Sequence, residues 1–171
     1  MATTVKTPVQ AGAGTSQIQL ENFIREEWSQ TETNNVKVVI DFIQHIMNDH
    51  DFDYVEQKFG GMPYRQHNRS MTDGISGVVA AVRDVVKRYP EYRYAVKQIF
   101  ASGDHVIVHS HAEMKASQRG NEKKGYLIMD IWRLDDGELV EHWDAVQPLN
   151  GFWRFYHLLV GGKIRNSNGL Y

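Results

Sequence analysis

The first part of the chain carries apolar residues at helical spacing. Over residues 35–48 they recur at i, i+3, i+4 and i+7, which predicts an amphipathic helix with Asn34 or Asn35 as its N-cap. The stripe consists of Val36, Val39, Ile40, Ile43, Ile46 and Met47. A shorter apolar stripe over residues 18–28 predicts a brief additional helix ahead of the main one.

Two further helices are predicted before the pattern changes. Residues 52–59 form the first, with Asp51 as its N-cap and a pair of glycines after its last residue. Residues 74–89 form the second, with Thr72 or Asp73 as its cap. Its many valines favour strands by propensity, but their spacing is helical throughout, so the period indicates a helix.

The second part of the chain alternates apolar and polar residues, as strands do. Strands are predicted over residues 92–101 and 106–115, and an antiparallel hairpin over residues 126–147 closes at an Asp-Gly turn, Asp136-Gly137. Helices followed by a run of long antiparallel strands predict an α+β fold. The helices should pack into the concave face of a curved, mostly antiparallel sheet, leaving a pocket between the two layers.

The predicted domain spans residues 18–147 and includes the short extra helix. Residues 1–17 are small and polar and are predicted to form a flexible arm. Residues 148–171 form an aromatic extension with a C-terminal helix that Gly161-Gly162 would end. This helix either packs on the outside of the domain or on a second subunit, or it covers the mouth of the pocket. Its apolar face comprises Phe152, Phe155, Tyr156 and Leu159.

Composition excludes several classes of function. The net charge is -2 with a pI of about 6.4, which does not favour binding to nucleic acid. The chain has no cysteine, which excludes disulfides and thiolate chemistry. No apolar run has the length of a signal peptide or a membrane span, so a cytoplasmic protein without membrane contact is expected.

The hairpin carries the candidate chemistry. Alternation places Tyr126, Ile128, Asp130 and Trp132 on one face of its first strand. A carboxylate on an apolar face is costly to bury unless it is paired, hydrogen-bonded or protonated. On the returning strand Val140, His142 and Asp144 share a face, with Leu139, Glu141 and Trp143 on the other.

Further histidines add to this candidate acid/base site. Alternation puts His109 and His111 together on the strand over residues 106–115, and if that face is concave they point toward Asp130. His67 would join them from the loop after the second helix. Burial raises the pKa of an Asp, while a His titrates near neutral pH, so such a set could donate and accept protons.

Three stretches, in order, resemble the SnoaL-like family, a branch of the nuclear-transport-factor-2-like cone fold. They are Tyr-Arg-Gln-His-Asn at residues 64–68, Gly-Asp-His-Val-Ile-Val-His at residues 103–109, and the hairpin. The hairpin contributes Asp-Ile-Trp-Arg from Asp130 and, after the glycine turn, Leu-Val-Glu-His-Trp-Asp-Ala-Val-Gln. The resemblance covers roughly residues 35–147.

The resemblance implies a cone-shaped (cystatin-like) domain that pairs through its sheet into a homodimer. It also implies a cofactor-free enzyme that acts on a small hydrophobic carbonyl compound by aldol-type cyclisation, isomerisation or dehydration. Asp130 corresponds to the family's pocket carboxylate, and His67 lies near the position of the isomerases' base. His142 and Asp144 complete the predicted catalytic set. The predicted ligand-binding residues are Tyr64, His109, Ile128, Trp132 and Val140.

Other interpretations of the same residues stay open. Asp130 could form a structural salt bridge with Arg133, and His142 could simply pair with Asp144. A metal ion held by His109, His111, His142 and Asp144 is compatible with their spacing, although the resemblance implies none. A non-catalytic ligand-binding or dimerisation module is the alternative function.

Overall fold

The computed structural model describes residues 17–159 of the chain. The helices are α1 (Gln30–Ile43), α2 (Phe52–Phe59), α3 (Ile75–Arg88) and α4 (Gly151–Leu159), and the strands are β1 (Arg65–Gln66), β2 (Arg93–Ser102), β3 (His105–Glu113), β4 (Tyr126–Asp135) and β5 (Glu138–Pro148). The predicted arm, apart from Gln17, lies outside the described residues. So does the end of the C-terminal extension, including Gly161-Gly162.

The strands form one sheet in the order β1-β5-β4-β3-β2. Strands β2 to β5 pair antiparallel with their neighbours, while the short β1 runs parallel to β5. Helix α1 packs on one face of this sheet, which we call the inner face, and the opposite face is called the outer face. Helix α3 packs mainly on α2. The predicted α+β architecture, with helices against the concave face of a curved and mostly antiparallel sheet, is confirmed.

The core lies between the inner face and the helices. Its buried side chains include Val36, Val39, Ile40, Ile43, Val78, Val79, Val82, Val106, Val108, Ile128, Trp132 and Leu134. Phe42 of α1 meets Trp132 of β4 edge to face, with ring centroids 6.4 Å apart. The apolar stripes therefore identified the buried sides of α1 and α3 correctly.

Helix α1 begins earlier than predicted, and its cap is Ser29 rather than Asn34 or Asn35. The Ser29 side chain accepts a hydrogen bond from the Glu32 N–H at 3.2 Å, and the Glu32 carboxylate accepts one from the Ser29 N–H at 2.8 Å. This capping box starts the helix within a polar stretch that carries no apolar stripe. A π-helical turn, Gln44–Asp49, continues the helix.

The predicted caps of the other two helices differ in outcome. Asp51 caps α2 as predicted, by accepting a hydrogen bond from the Tyr54 N–H at 3.1 Å. Helix α3 has Gly74 at its N-cap, and neither Thr72 nor Asp73 takes that place. The Asp73 carboxylate instead accepts a hydrogen bond from the N–H of Gln66 in β1 at 2.8 Å.

The helix predicted over residues 18–28 is wrong, since this segment contains only the 3-10 turn Leu20–Asn22. Its apolar residues still pack against the core, and the Ile18 N–H donates to the Gln44 side chain at 2.9 Å. A segment this short gains little from helical hydrogen bonds, so tertiary contacts decide its path.

The β4–β5 hairpin turns at Asp136-Gly137, where both residues have positive φ, 47° and 81°. The pairing places Arg133 opposite Glu141 but Leu134 opposite Leu139, so Val140 is the extra residue of a β-bulge. As a result Leu139 is buried, although simple alternation predicted it on the face opposite His142.

The C-terminal helix is present as α4, and Phe152, Phe155, Tyr156 and Leu159 are exposed on it. Within residues 17–159, no helix combines the length and the apolar composition needed to cross a bilayer.

Candidate functional site

A buried acidic and imidazole cluster lies on the inner face, where β4 and β5 run side by side. The pairing places Asp130 opposite Asp144 and Trp132 opposite His142. Residues directly opposite each other in an antiparallel pair point to the same face, so all four side chains converge. The hairpin thus brings together three predicted catalytic residues, Asp130, His142 and Asp144.

Asp130 is 2% exposed and lies at the centre of this cluster. One of its oxygens, Oδ1, is 3.1 Å from His142 Nε2, and the other, Oδ2, has no hydrogen-bond partner among the described residues. Burial raises the pKa of Asp130, and the nearby charge of Asp144 raises it further, while the His142 hydrogen bond opposes both. This carboxyl group is therefore suited to donate a proton.

His142 connects Asp130 to the short strand β1. Its Nδ1 lies 3.0 Å from the Gln66 side-chain oxygen, and its Nε2 faces Asp130. The ring is buried beside Trp132, with ring centroids 4.8 Å apart. Tyr64 stacks on it at a centroid distance of 6.5 Å. These contacts fix the position of the imidazole.

Asp144 is the more accessible carboxylate of the cluster, because its side chain is only half-buried. Its Oδ2 accepts a hydrogen bond of 2.6 Å from the Asn68 side-chain amide. Asn68 is held in turn by Ser70, whose backbone N–H and hydroxyl donate to the Asn68 side-chain oxygen at 2.9 and 2.6 Å. The loop after β1 therefore orients Asp144.

The predicted ligand-binding residues divide between the two faces. Tyr64, Ile128 and Trp132 are buried on the inner side near the cluster, and burial raises the pKa of Tyr64 so that its phenol stays protonated. Val140 is the bulge residue and has no partner in the pairing of β4 with β5. His109 lies on the outer face.

His67 does not join the cluster, contrary to the predicted geometry. Gln66 lies opposite His142 in the parallel pairing, so the next residue along the chain turns to the outer face. There His67 Nε2 is 2.9 Å from the Glu141 carboxylate, and its ring stacks on Trp143 at 4.9 Å. The position of His67 beside Asp130 was therefore a wrong expectation.

His109 and His111 also face away from Asp130, because Val108 is the residue opposite Asp130 in the pairing of β3 with β4. His111 Nε2 donates to the Lys124 carbonyl at 2.7 Å on the outer face. Burial lowers the pKa of His109, and the charge of Lys97 adds to this effect. Val106 and Val108, which alternate with these histidines and are apolar, indicate that the valine face of β3 is the inner one.

Asp130 and Arg133 lie on opposite faces of β4. Arg133 binds Glu141 at 3.0 Å on the outer face and is not the partner of Asp130. His142 pairs with Asp130 on the neighbouring strand rather than with Asp144. The four residues considered for a metal site are split between the two faces.

A different group could hold a cation: Asp130, His142 and Asp144 each bring one donor atom to within 4.8 Å of the others. The same spacing suits a network that shares protons, and the hydrogen bond between His142 and Asp130 is of that kind. The cluster can thus donate and accept protons within one small volume.

Gln66 and Asn68 are functional candidates that the sequence reasoning did not select. Both belong to the stretch at residues 64–68 that carries the family resemblance, from which only Tyr64 and His67 were predicted as site residues. Which side chains of this stretch face inward depends on its pairing with β5, and a two-residue strand gives no alternation from which to read it.

Comparison with known proteins bears on both fold and family. A model of the SnoaL-like domain matches residues 39–142, which is more than half of the chain. No curated protein matches the sequence. Among solved structures, a provisionally named polyketide cyclase from Bacillus cereus ATCC 10987 has a TM-score of 0.59 at 18% identity, covering 72% of this chain and 81% of that one.

Two other structures support the same fold. A provisionally named SnoaL-like polyketide cyclase from Jannaschia sp. CCS1 has a TM-score of 0.57 at 16% identity, covering 81% of this chain and all (100%) of that one. A SnoaL-like protein from Burkholderia thailandensis has a TM-score of 0.53 at 16% identity, covering 70% and 99%. Identities this low establish the shared fold alone.

Proposed function

Because the chain belongs to the SnoaL-like family, we propose that it catalyses acid/base chemistry, without a cofactor, on a small hydrophobic carbonyl compound. The reaction class is an aldol-type cyclisation, an isomerisation or a dehydration, all of which pass through an enol or enolate. The observation that carries the proposal is the buried Asp130–His142 pair beside a second carboxylate, Asp144.

Each member of the cluster has a role in this proposal. Asp130, whose pKa burial raises, supplies the proton or hydrogen bond to the substrate oxygen. The His142/Asp144 pair takes the proton from the carbon next to the carbonyl. Asp144 meets the substrate first, because it is the least buried of the three. His67 has no part in the reaction, since it lies on the outer face.

The apolar surroundings support a hydrophobic substrate. Tyr64, Ile128 and Trp132 are buried beside the cluster, and Val146, which lies opposite Ile128, is 47% exposed at the same end of the sheet. An apolar compound that enters at this exposed end would reach Asp144 before Asp130. Exclusion of water there would strengthen a hydrogen bond to a developing enolate.

The proposal can be tested without knowing the natural substrate. Purified protein would be incubated in D₂O with hydrophobic ketones such as α-tetralone and a 3-ketosteroid, and deuterium uptake next to the carbonyl would be followed by NMR. We expect the wild-type protein to accelerate uptake, and Asp130→Asn to reduce that acceleration about 100- to 10,000-fold. Glu141→Gln is the matched control, because it alters a carboxylate that pairs with His67 on the outer face, away from the cluster.

Three outcomes separate the hypotheses. Loss of exchange in D130N with retention in E141Q supports the acid/base site. Ketone binding without exchange in the wild-type protein would favour the alternative, a non-catalytic ligand-binding module. Stoichiometric metal in the purified protein, lost together with exchange on treatment with a chelator, would contradict the cofactor-free assignment.

We further propose that the protein forms a homodimer through the outer face of its sheet. Leu127, Met129 and Ile131 are only partly buried there, which leaves an apolar surface of the kind that interfaces use. Light scattering at micromolar concentration should give twice the mass of the chain, and a monomer mass would contradict the proposal.

A further inference from the structure

We infer that Gln66 is a positioning residue that fixes the tautomer of His142 and so directs the lone pair of its Nε2 toward Asp130. The effect of this tautomer on catalysis rests on the proposed function. The tautomer itself rests on hydrogen-bond geometry.

The identity of the Gln66 atom that faces His142 follows from a second contact. The Gln66 side-chain oxygen accepts a hydrogen bond from the backbone N–H of Asn68 at 2.9 Å. A backbone N–H can only donate, so the atom at this position must be the carbonyl oxygen of the amide and not its nitrogen. The amide nitrogen points the other way, toward the Met71 sulfur at 3.7 Å.

The same oxygen lies 3.0 Å from His142 Nδ1. Because a carbonyl oxygen only accepts, Nδ1 must carry the proton. In a neutral ring Nε2 is then an acceptor, and its partner Asp130, 3.1 Å away, must be the donor. The pair therefore holds one proton along the line between Asp130 Oδ1 and His142 Nε2.

This arrangement matters for the proposed acid/base chemistry. If Nδ1 lost its acceptor, the neutral ring could take the other tautomer, with its proton on Nε2. Nε2 would then carry the ring proton and have no lone pair, so His142 could accept neither the hydrogen bond from Asp130 nor the proton of the substrate. Gln66 touches neither the substrate nor the reacting atoms, and it acts by holding the imidazole in the state that can accept.

Gln66 is itself fixed by the loop, which explains how a two-residue strand can hold the ring. Its backbone N–H donates to the Asp73 carboxylate at 2.8 Å, and its side chain bridges Asn68 and His142. Both its backbone and its side chain are thus restrained, so little freedom is left for the amide to rotate.

The decisive measurement is the ¹⁵N chemical shift of the two His142 ring nitrogens. Wild-type protein should show a protonated Nδ1. Gln66→Met, which keeps the length of the side chain but removes the acceptor, should move the proton of the neutral ring to Nε2. Gln66→Glu, which restores an acceptor, should return it to Nδ1. Glu141→Gln is the control and should keep the proton on Nδ1, because it changes the outer face and leaves the contacts of the Gln66 side chain in place.

In the deuterium-exchange assay, Q66M should be about 10- to 100-fold slower than wild type. Q66E should recover more of the rate than Q66M does. An unchanged Nδ1 proton in a folded Q66M protein would overturn the inference, whatever its rate. If the tautomer moves as expected but wild-type protein exchanges no ketone, the proposed function fails while the role of Gln66 in setting the tautomer stands.

Discussion

Strand β5 carries one member of a histidine–carboxylate pair on each of its faces, and the two pairs behave differently. On the inner face His142 Nε2 is 3.1 Å from Asp130, with side chains 7% and 3% exposed. On the outer face His67 Nε2 is 2.9 Å from Glu141, with side chains 39% and 14% exposed. The two contacts are nearly the same length.

The pKa values of the two carboxyl groups nevertheless shift in opposite directions. The hydrogen bond from His67 lowers the pKa of Glu141, and Arg133 and Arg65 lower it further. Burial raises the pKa of Asp130 despite its hydrogen bond of similar length with His142. The comparison shows that desolvation and neighbouring charges, rather than the contact itself, decide whether such a pair is a structural ion pair or a proton donor.

The largest expected difference between the two faces is in activity. Asp130→Asn should lower ketone deuterium exchange about 100- to 10,000-fold, and Glu141→Gln should change it less than about twofold, because only the first removes a group from the proposed acid/base set. NMR of the exchanged ketone measures both rates. Equal losses in the two variants would mean that the faces do not differ in function.

The next largest difference is expected in protein stability when the tryptophan beside each imidazole is replaced by alanine. Trp132 is 1% exposed and contacts both Phe42 and His142, so Trp132→Ala should lower the free energy of unfolding by about 3–5 kcal/mol. Trp143→Ala should lower it by about 1 kcal/mol, since that ring is half-buried and stacks mainly on His67. Urea denaturation measures both, and a larger loss in W143A would contradict the assigned faces.

A smaller effect with a defined pH dependence is expected for the stability of the D130N protein. Because burial raises the pKa of Asp130 in the folded state, folding favours the protonated carboxyl. Wild-type stability should therefore fall as the pH rises from the ordinary Asp pKa through the raised one. D130N lacks this loss and should be more stable than wild type by about 1–3 kcal/mol above that window.

The difference in stability between D130N and wild type should itself depend on pH. The stability advantage of D130N should shrink toward acid pH, where the carboxyl is protonated in both folded and unfolded wild-type protein. Thermal denaturation from pH 3 to 9 is the measurement. An advantage that is independent of pH would show that Asp130 is not desolvated in the way its surroundings indicate.

The smallest effect is expected on the outer face, and its pH dependence has the opposite sign. The lowered pKa of Glu141 means that its ion pairs stabilise the protein above the ordinary Glu pKa and are lost as the pH falls through the lowered value. Glu141→Gln should cost little stability at neutral pH, and less at high salt, because exposed charges are screened. Salt-independent destabilisation in E141Q would contradict this view of the outer pair.

The local features of the fold could be predicted from the sequence because they depend on neighbouring residues. Four such features depend only on residues close together in the chain, and each is found in the structure. They are the apolar stripe on α1, the valine stripe of α3, the Asp51 cap and the Asp-Gly turn. The same holds for Asp130, whose place on an apolar strand face marked it as a group that needs a partner.

The cross-strand arrangement could not be predicted in the same way. Alternation along β3 says that His109 and His111 share a face but not which face, and only pairing with β4 places Val108 opposite Asp130. For Gln66 and His67 the uncertainty is greater still, because β1 has two residues and its inward side is set by strand β5.

Short windows of sequence identified the main helices and strands, the buried sides of α1 and α3, and the residue types that could exchange protons. Tertiary structure alone decided which of those residues meet. The reason is that period and propensity act over a few neighbouring residues, whereas the partner of Asp130 depends on sheet register and on the position of the Val140 bulge. A shift of one residue in that register would have turned His142 away from Asp130 and placed Glu141 on the inner face.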